Sequence, residues 1–164
     1  MWKLYKHFKA CEIMPGQELD ICIEAERGDH LRISVLRRCY PNQHDYWDSN
    51  WVESEIQVWV GGFEGAFCAN LRSEDFESFN RELTALSKTF SGKATFSTME
   101  DQLSFTVQGD GRGHIQVSGQ AIDVVGVGNR LEFSLRMDQT YIPPILKALS
   151  AVLKEFPVLG DPDV

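Results

Sequence analysis

The sequence lacks the patterns that mark a membrane protein, a secreted protein or a common enzyme. No run approaches the roughly 18 apolar residues of a membrane span, and no GxSxG, HExxH, Walker or EF-hand pattern occurs. The lysine-bearing first ten residues are not followed by the apolar run of a signal peptide. We therefore expect a cytoplasmic protein that is not an enzyme and carries no metal or cofactor.

Cysteines are few and scattered. Cys11, Cys22, Cys39 and Cys68 form no CxxC pair and share no zinc-site spacing with a histidine. We expect free thiols in a reducing compartment. Cys22 and Cys68 fall within apolar strand-like runs, so both are predicted to be small buried hydrophobic residues.

Basic residues are outnumbered, and the net charge is −8. This balance argues against nucleic acid and anionic membranes as partners, because both require a positive face. Eight acids and a single base, Arg72, lie between Asp45 and Glu77. That segment is either a solvated polar face or a docking surface for a basic protein.

The clearest strand alternates from Trp51 to Val60. Val52, Ser54, Ile56, Val58 and Val60 share one side, and Trp51, Glu53, Glu55, Gln57 and Trp59 share the other. Similar runs precede and follow it, so the order is four strands, a helix, four strands and a helix. Short connections in the second half favour antiparallel neighbours.

Two helices complete the pattern. The first is predicted to begin with Ser73 as its N-cap, and its apolar stripe runs from Phe76 to Phe90. The second begins at Pro143-Pro144. The sequence thus predicts an α+β fold in which a twisted antiparallel sheet of seven to eight strands packs against two helices. Residues 1–164 form one domain, with an N-terminal arm at 1–17 and a polar tail at 158–164.

Two loops invite a chemical interpretation, but neither pattern is complete. Gly109 to His114 is glycine-rich yet joins two strands, whereas a phosphate cradle needs a helix N-terminus, so a hairpin turn is predicted. Asp110 and His114 could act as an acid–base pair, but no nucleophile lies nearby in the sequence. His44, Asp45 and Asp48 are too few and too close together to indicate a metal site.

The segment from Asp45 to Trp51 combines aromatic rings with carboxylates. Such a mixture suits an interface hot spot, because Trp and Tyr offer large, rigid contacts. It equally suits a structural loop whose rings cap the core and whose polar groups cap the backbone. The residues predicted to bind a partner are Trp47, Asp48, Trp51, Glu53, Glu55 and Trp59.

Four short stretches resemble the WapI-like immunity proteins of bacterial polymorphic toxin systems. They are Leu31–Leu36, Asp48–Val52, Gly128–Phe133 and Asp138–Tyr141, with Val52 where the family usually has leucine. The resemblance covers roughly residues 18–155. It implies a small cytoplasmic protein that occludes a cognate toxin domain and performs no chemistry, and it does not locate the interface.

Other functions stay open on the sequence alone. The chain could be a small-ligand-binding domain with an aromatic-lined pocket between sheet and helices, or a hydrolase that uses Asp110 and His114. A homodimer or a purely structural subunit is also compatible with the sequence.

Overall fold

The structure, a computed structural model, describes residues 19–163. These residues form two β-meanders, each followed by a long helix. The strands are β1 (Leu19–Glu24), β2 (His30–Arg38), β3 (Trp51–Val60), β4 (Phe63–Arg72), β5 (Ser91–Ser97), β6 (Leu103–Asp110), β7 (His114–Ile122) and β8 (Arg130–Asp138). The helices are α1 (Tyr46–Ser49), α2 (Ser73–Leu86) and α3 (Ile142–Glu155), with a 3₁₀ turn at Gln139–Tyr141.

The α+β class, the antiparallel pairing and the upper strand count are confirmed. The eight strands divide between two sheets, with orders β1-β2-β3-β4 and β5-β6-β7-β8. Helix α2 follows β4 without a connecting loop and leads to β5, so it separates the two meanders. In the part of the chain that the structure describes, no helix is long and apolar enough to cross a membrane.

One hydrophobic core joins the inner faces of both sheets to α2 and α3. Its centre is aromatic: Phe96 and Phe105 stack with ring centroids 5.1 Å apart, and Phe79 meets Phe105 edge-on at 5.2 Å. Phe76 lies 5.4 Å from Phe96. These rings come from the predicted apolar stripe of α2 and from the inner faces of β5 and β6, so the space between sheet and helix is filled.

Helix α2 begins at Ser73, the residue predicted to be its N-cap, so the N-cap lies one residue earlier than predicted. Arg72, with extended backbone angles, is the N-cap residue, and its N–H donates to Asp75 Oδ2 at 3.0 Å. The prediction that Ser73 caps the helix is therefore wrong. Ser73 already lies inside the helix, where its buried hydroxyl oxygen has no hydrogen-bond partner among the described residues.

The cysteine predictions are confirmed only in part. Cys22, Cys39 and Cys68 are free thiols, whereas Cys11 lies outside the described residues. Cys22 is half-buried and Cys68 is exposed, so the prediction that both are buried is wrong. The reason is register: Cys68 pairs with Glu55 and shares its outward direction.

The predicted arm at residues 1–17 also lies outside the described residues, but most of the predicted tail is described. The side chain of Asn50 donates to the carbonyl oxygen of Leu159 at 2.9 Å and accepts from its N–H at 2.9 Å. The first residues after α3 therefore dock against the segment that leads into β3.

Candidate functional site

The predicted alternation of β3 is confirmed residue by residue. Val52, Ser54, Ile56 and Val58 are buried, while the residues between them point away from the core. Glu53, Glu55 and Trp59 thus lie on the outer face of the first sheet. That face is where the structure places the centre of the predicted binding residues.

Cross-strand neighbours make this surface acidic. We call a row of directly paired residues across the four strands a rung. One rung consists of Glu24, His30, Trp59 and Glu64, and another consists of Asp20, Ser34, Glu55 and Cys68. We call the outer face of β1 to β4 the acidic face. Its solvent-accessible charged residues are Asp20, Glu24, Arg32, Arg37, Glu53, Glu55 and Glu64, which leave three net negative charges; Arg72, at the end of β4, is buried.

The two central glutamates have different surroundings. Glu53 forms an ion pair with Arg37 at 2.7 Å, close to the shift in register between Val35 and Arg37. Such exposed pairs contribute little to stability, typically about 0–1 kcal/mol. Glu55 lies between Ser34 and Cys68, neither of which carries a positive charge. Glu55 therefore has no base directly opposite it on either neighbouring strand.

Trp59 lies at the opposite end of β3 from the other predicted tryptophans. Its side chain is 47% exposed, and its ring centroid is 6.0 Å from that of His30. Trp59 is eight positions beyond Trp51, which corresponds to roughly 27 Å along an extended strand. The six predicted binding residues therefore do not form one compact patch, although the acidic face connects them.

Sequence reasoning missed Arg72, which explains the cluster of aromatic rings. Arg72 is only 2% exposed. Its guanidinium carbon lies 5.4 Å from the ring centroid of Tyr46, 5.7 Å from that of Trp47 and 5.1 Å from that of Trp51. It also pairs with Glu74. Trp51 faces Arg72 directly across the strand pair. The signal in the sequence was a lone base among eight acids.

The backbone of α1 completes the arginine's surroundings. Arg72 donates to the carbonyl oxygens of Trp47 at 3.0 Å and Tyr46 at 3.1 Å. Asp45 caps α1, since its carboxylate accepts from the N–H groups of Trp47 and Asp48, and these bonds lower the pKa of Asp45. The structural interpretation of this segment thus holds for Trp51, while Trp47 remains 54% exposed and Asp48 lies in solvent.

The loop from Gly109 to His114 is a hairpin turn, as predicted. Gly111 and Gly113 have positive φ angles of 76° and 98°. Asp110 Oδ2 lies 2.8 Å from His114 Nδ1, and both side chains are exposed. Hydrogen bonds, first of all from the N–H of Arg112, lower the pKa of Asp110. This pair therefore serves the turn.

A cleft of about 450 Å³ adjoins this pair. It is lined by Glu26, Gln108, Gly109, Asp110, His114, Ile115, Gln116, Arg136 and Met137. Among these described residues there is no side-chain hydroxyl or thiol, so a nucleophile of the serine or cysteine type is not present in the lining.

Comparison with known proteins identifies a family and a distant likeness of fold. The model of the immunity protein WapI-like family matches residues 22–157. No curated protein sequence matches the chain. Two solved structures are similar in shape. MRP1/MRP2 of Trypanosoma bruciei is 13% identical, with 84% of each chain covered and a TM-score of 0.45. The plant transcriptional regulator PBF-2 is 12% identical, with 89% of this chain and 84% of that chain covered and a TM-score of 0.46.

Proposed function

The chain belongs to the immunity protein WapI-like family, and we propose that it neutralises a cognate toxin domain by binding and occluding it. Binding, rather than catalysis, is the proposed activity, and the cytoplasm is the proposed compartment. The observation that carries the interface assignment is the acidic face, which combines solvent-facing carboxylates with Trp59 and borders Trp47 and Asp48.

The second sheet supports this choice by contrast. Its outer face is built largely from uncharged side chains, including a rung of Thr95, Thr106, Ser118 and Ser134. Charge on that side comes mainly from its margins. The acidic face is therefore the sheet surface with a strong charge signature, and charge of one sign is what selects and orients an oppositely charged partner.

The predicted binding residues have different proposed roles, according to their positions along β3 and on α1. Glu53 and Glu55 supply charge at the middle of the face, and Trp59 supplies apolar contact area at one end. Trp47 and Asp48 supply both at the other end, on α1. Trp51 contributes indirectly, because its ring packs on Arg72 and holds α1 in place.

A basic toxin domain fits this surface best. A positive active site, such as that of a nuclease, would approach faster because long-range attraction steers diffusional encounter. Binding would then cover that site and exclude its substrate. This account predicts an association rate that falls steeply with salt concentration.

The first test is co-expression with the product of the gene immediately upstream, taken as the candidate toxin. The proposal expects the pair to copurify and the cell to survive, and absence of both binding and protection would overturn it. The second test is the double variant Glu53→Lys/Glu55→Lys, measured by surface plasmon resonance at several salt concentrations. We expect the association rate to fall at least about tenfold and the salt dependence to shrink.

The matched control is Glu132→Lys/Glu100→Lys, which makes the same charge change on exposed positions outside the acidic face. It should associate almost as fast as the wild type. Equal effects of the two double variants would mean that only net charge matters and that the acidic face is not the interface. Both proteins should unfold near the wild-type temperature, since an exposed ion pair is worth less than about 1 kcal/mol.

A further inference from the structure

Gly65 is the one glycine in the described strands whose presence the fold itself does not explain. At Gly109 and Gly119 a Cβ atom would collide with the carbonyl oxygens of Phe90 and Ser104. Gly92 has a positive φ of 103°. A Cβ at Gly65 would meet no atom of the described residues within 4 Å, and the φ of Gly65 lies outside the positive range. Glycine in a strand weakens it and often marks the close approach of a ligand or another chain.

The space beside Gly65 is a cleft at the end of the β3–β4 hairpin. Gly65 pairs with the buried Val58, so its missing side chain would extend from the inner side of the hairpin. The cleft has a volume of about 260 Å³ and separates this hairpin from the β7–β8 loop. We call it the tip cleft; its apolar lining is Val58, Phe63, Gly65, Ala66, Phe67, Ala121 and Leu131, and its polar lining is Glu64, Asp123, Asn129 and Arg130.

Exposed apolar side chains lie on the two segments that border the tip cleft, the β3–β4 hairpin and the β7–β8 loop. Phe63 is 68% exposed, and the β7–β8 loop presents Val124, Val125 and Val127, the last of them 87% exposed. Each of these four side chains is at least 47% exposed. Exposed apolar side chains that cluster on a soluble protein often mark an interaction site.

Hydrogen bonds hold the β7–β8 loop in a conformation that exposes its three valines. Asp123 accepts from the backbone N–H of Asn129 at 2.7 Å and from its side chain at 3.0 Å. The N–H of Gly128 donates to the carbonyl oxygen of Val124 at 2.9 Å. These bonds close the loop at its base, so the exposure of the valines is a property of the folded structure.

We propose that the tip cleft receives an apolar side chain of the toxin domain, an inference that rests on the proposed function. Its volume exceeds the roughly 150 Å³ that holds a benzene ring, so one aromatic or large aliphatic side chain fits. Small-ligand pockets are usually larger, at about 300–1,000 Å³, and enclose most of the ligand. A small ligand here would leave the three valines uncovered.

Charge favours the toxin over a second copy of this chain. A symmetric dimer brings the same surface patch of each copy together. Each copy carries a net charge of −8. The rung that contains Glu24, Trp59 and Glu64 lies next to the tip cleft, since Glu64 is part of its lining. A basic partner meets attraction at the same position. The tip of the β3–β4 hairpin also adjoins the acidic face, so one toxin domain can cover both surfaces.

The two surfaces are expected to control different rates. Exposed charges mainly change the association rate and its salt dependence, whereas buried anchor contacts mainly change the dissociation rate. The acidic face would then determine how fast the toxin is captured, and the tip cleft would determine how long it is held.

The deciding variant is Gly65→Val, which fills the tip cleft without removing any existing contact. We expect toxin dissociation to speed up at least about tenfold, with the association rate and salt dependence unchanged. The unfolding temperature should stay the same or rise, because valine suits a strand with room for it. Phe63→Ser removes an aromatic ring from the lining of the tip cleft and should also speed up toxin dissociation. Ser118→Val, at an exposed strand position on the second sheet, is the control and should dissociate like the wild type.

The outcomes separate this inference from the proposed function. If the wild-type protein binds the upstream toxin domain but Gly65→Val dissociates at the wild-type rate, the cleft assignment is overturned. If the wild type does not bind at all, the proposed function itself is overturned. Concentration-dependent dimerisation in sedimentation, lost in Gly65→Val, would assign the cleft to a second copy and also overturn the inference.

Discussion

Replacing Arg72 with methionine tests whether the aromatic cluster exists to hold a buried cation. Methionine keeps most of the volume, so the change removes the charge and the donors without opening a large cavity. Three ring contacts, the pair with Glu74 and two hydrogen bonds to the carbonyl oxygens of α1 are lost together. The free energy of unfolding should fall because the remaining partners cannot all find replacements.

The structure sets the size of the effect. Removing one member of a buried ion pair usually costs about 3–5 kcal/mol. Two details favour the lower end: Glu74 is 22% exposed and can be partly hydrated, and the carbonyl oxygen of Tyr46 still accepts from Asn50 at 2.8 Å. The carbonyl oxygen of Trp47 loses its side-chain donor. We therefore expect a loss of about 3 kcal/mol, which corresponds to roughly 6–12 °C in a domain of this size.

Urea unfolding, followed by tryptophan fluorescence and by circular dichroism, measures this loss directly. Arg72→Lys keeps the charge but not the planar fork of donors, so it should lose about 1–2 kcal/mol. Arg81→Met is the control, because Arg81 is exposed on the same helix and bonds only to Ser78 at 3.0 Å; it should change stability by less than about 0.5 kcal/mol. An Arg72→Met protein within 1 kcal/mol of the wild type would refute the reasoning.

Three further predictions concern the stability and dynamics of the fold. Burial raises the pKa of Asp75 to about 6, so the folded state binds more protons than the unfolded state between about pH 4 and 6. The free energy of unfolding should therefore fall as pH rises through that window, and Asp75→Asn, which keeps an acceptor for the N–H of Arg72, should abolish this slope in urea titrations. Asn50→Ala should free Leu159 and increase amide hydrogen exchange after α3, with no change there if the tail is not docked. Gly119→Ala should lower the unfolding temperature by several degrees, since its Cβ collides with β6 backbone; an unchanged value would contradict that contact.

The sequence predicted strands and helices well because burial imposes a regular period on each. The alternation along β3 identified its inner and outer faces correctly. The stripe on α2 identified Phe76, Phe79, Leu83 and Leu86 as core residues, and all are buried. Phe90, the last residue of the predicted stripe, lies beyond the end of α2 and is half-buried. The α+β class followed from the order of these elements. Alternation alone is the same whether eight strands form one sheet or two, so the division into two sheets was not predictable from it.

The environment of Arg72 was within reach of sequence reasoning. Gly61 and Gly62 form the two-residue turn of the β3–β4 hairpin, and such a turn fixes the register of the whole strand pair. Counting outward from that turn places Trp51 opposite Arg72. The approach of Tyr46 and Trp47 was not predictable in the same way, because it depends on how α1 folds back over the strand ends.

The linear clustering of acids overstated the charge of one surface and misplaced part of it. Asp45 and Asp75 cap helices, and Glu74 pairs with the buried Arg72, so these carboxylates serve the fold. Of the eight acids between Asp45 and Glu77, the acidic face contains Glu53, Glu55 and Glu64.

Two acids that the linear pattern left out belong to the same surface. Asp20 and Glu24 come from β1, two strands away from β3, and share rungs with Glu55 and Trp59 respectively. The strands of a sheet are about 4.8 Å apart, so β1 lies roughly 10 Å from β3, close to the screening length at physiological salt. The field that a toxin would meet is therefore the sum over both strands, and a surface chosen from sequence proximity alone would omit a substantial part of it.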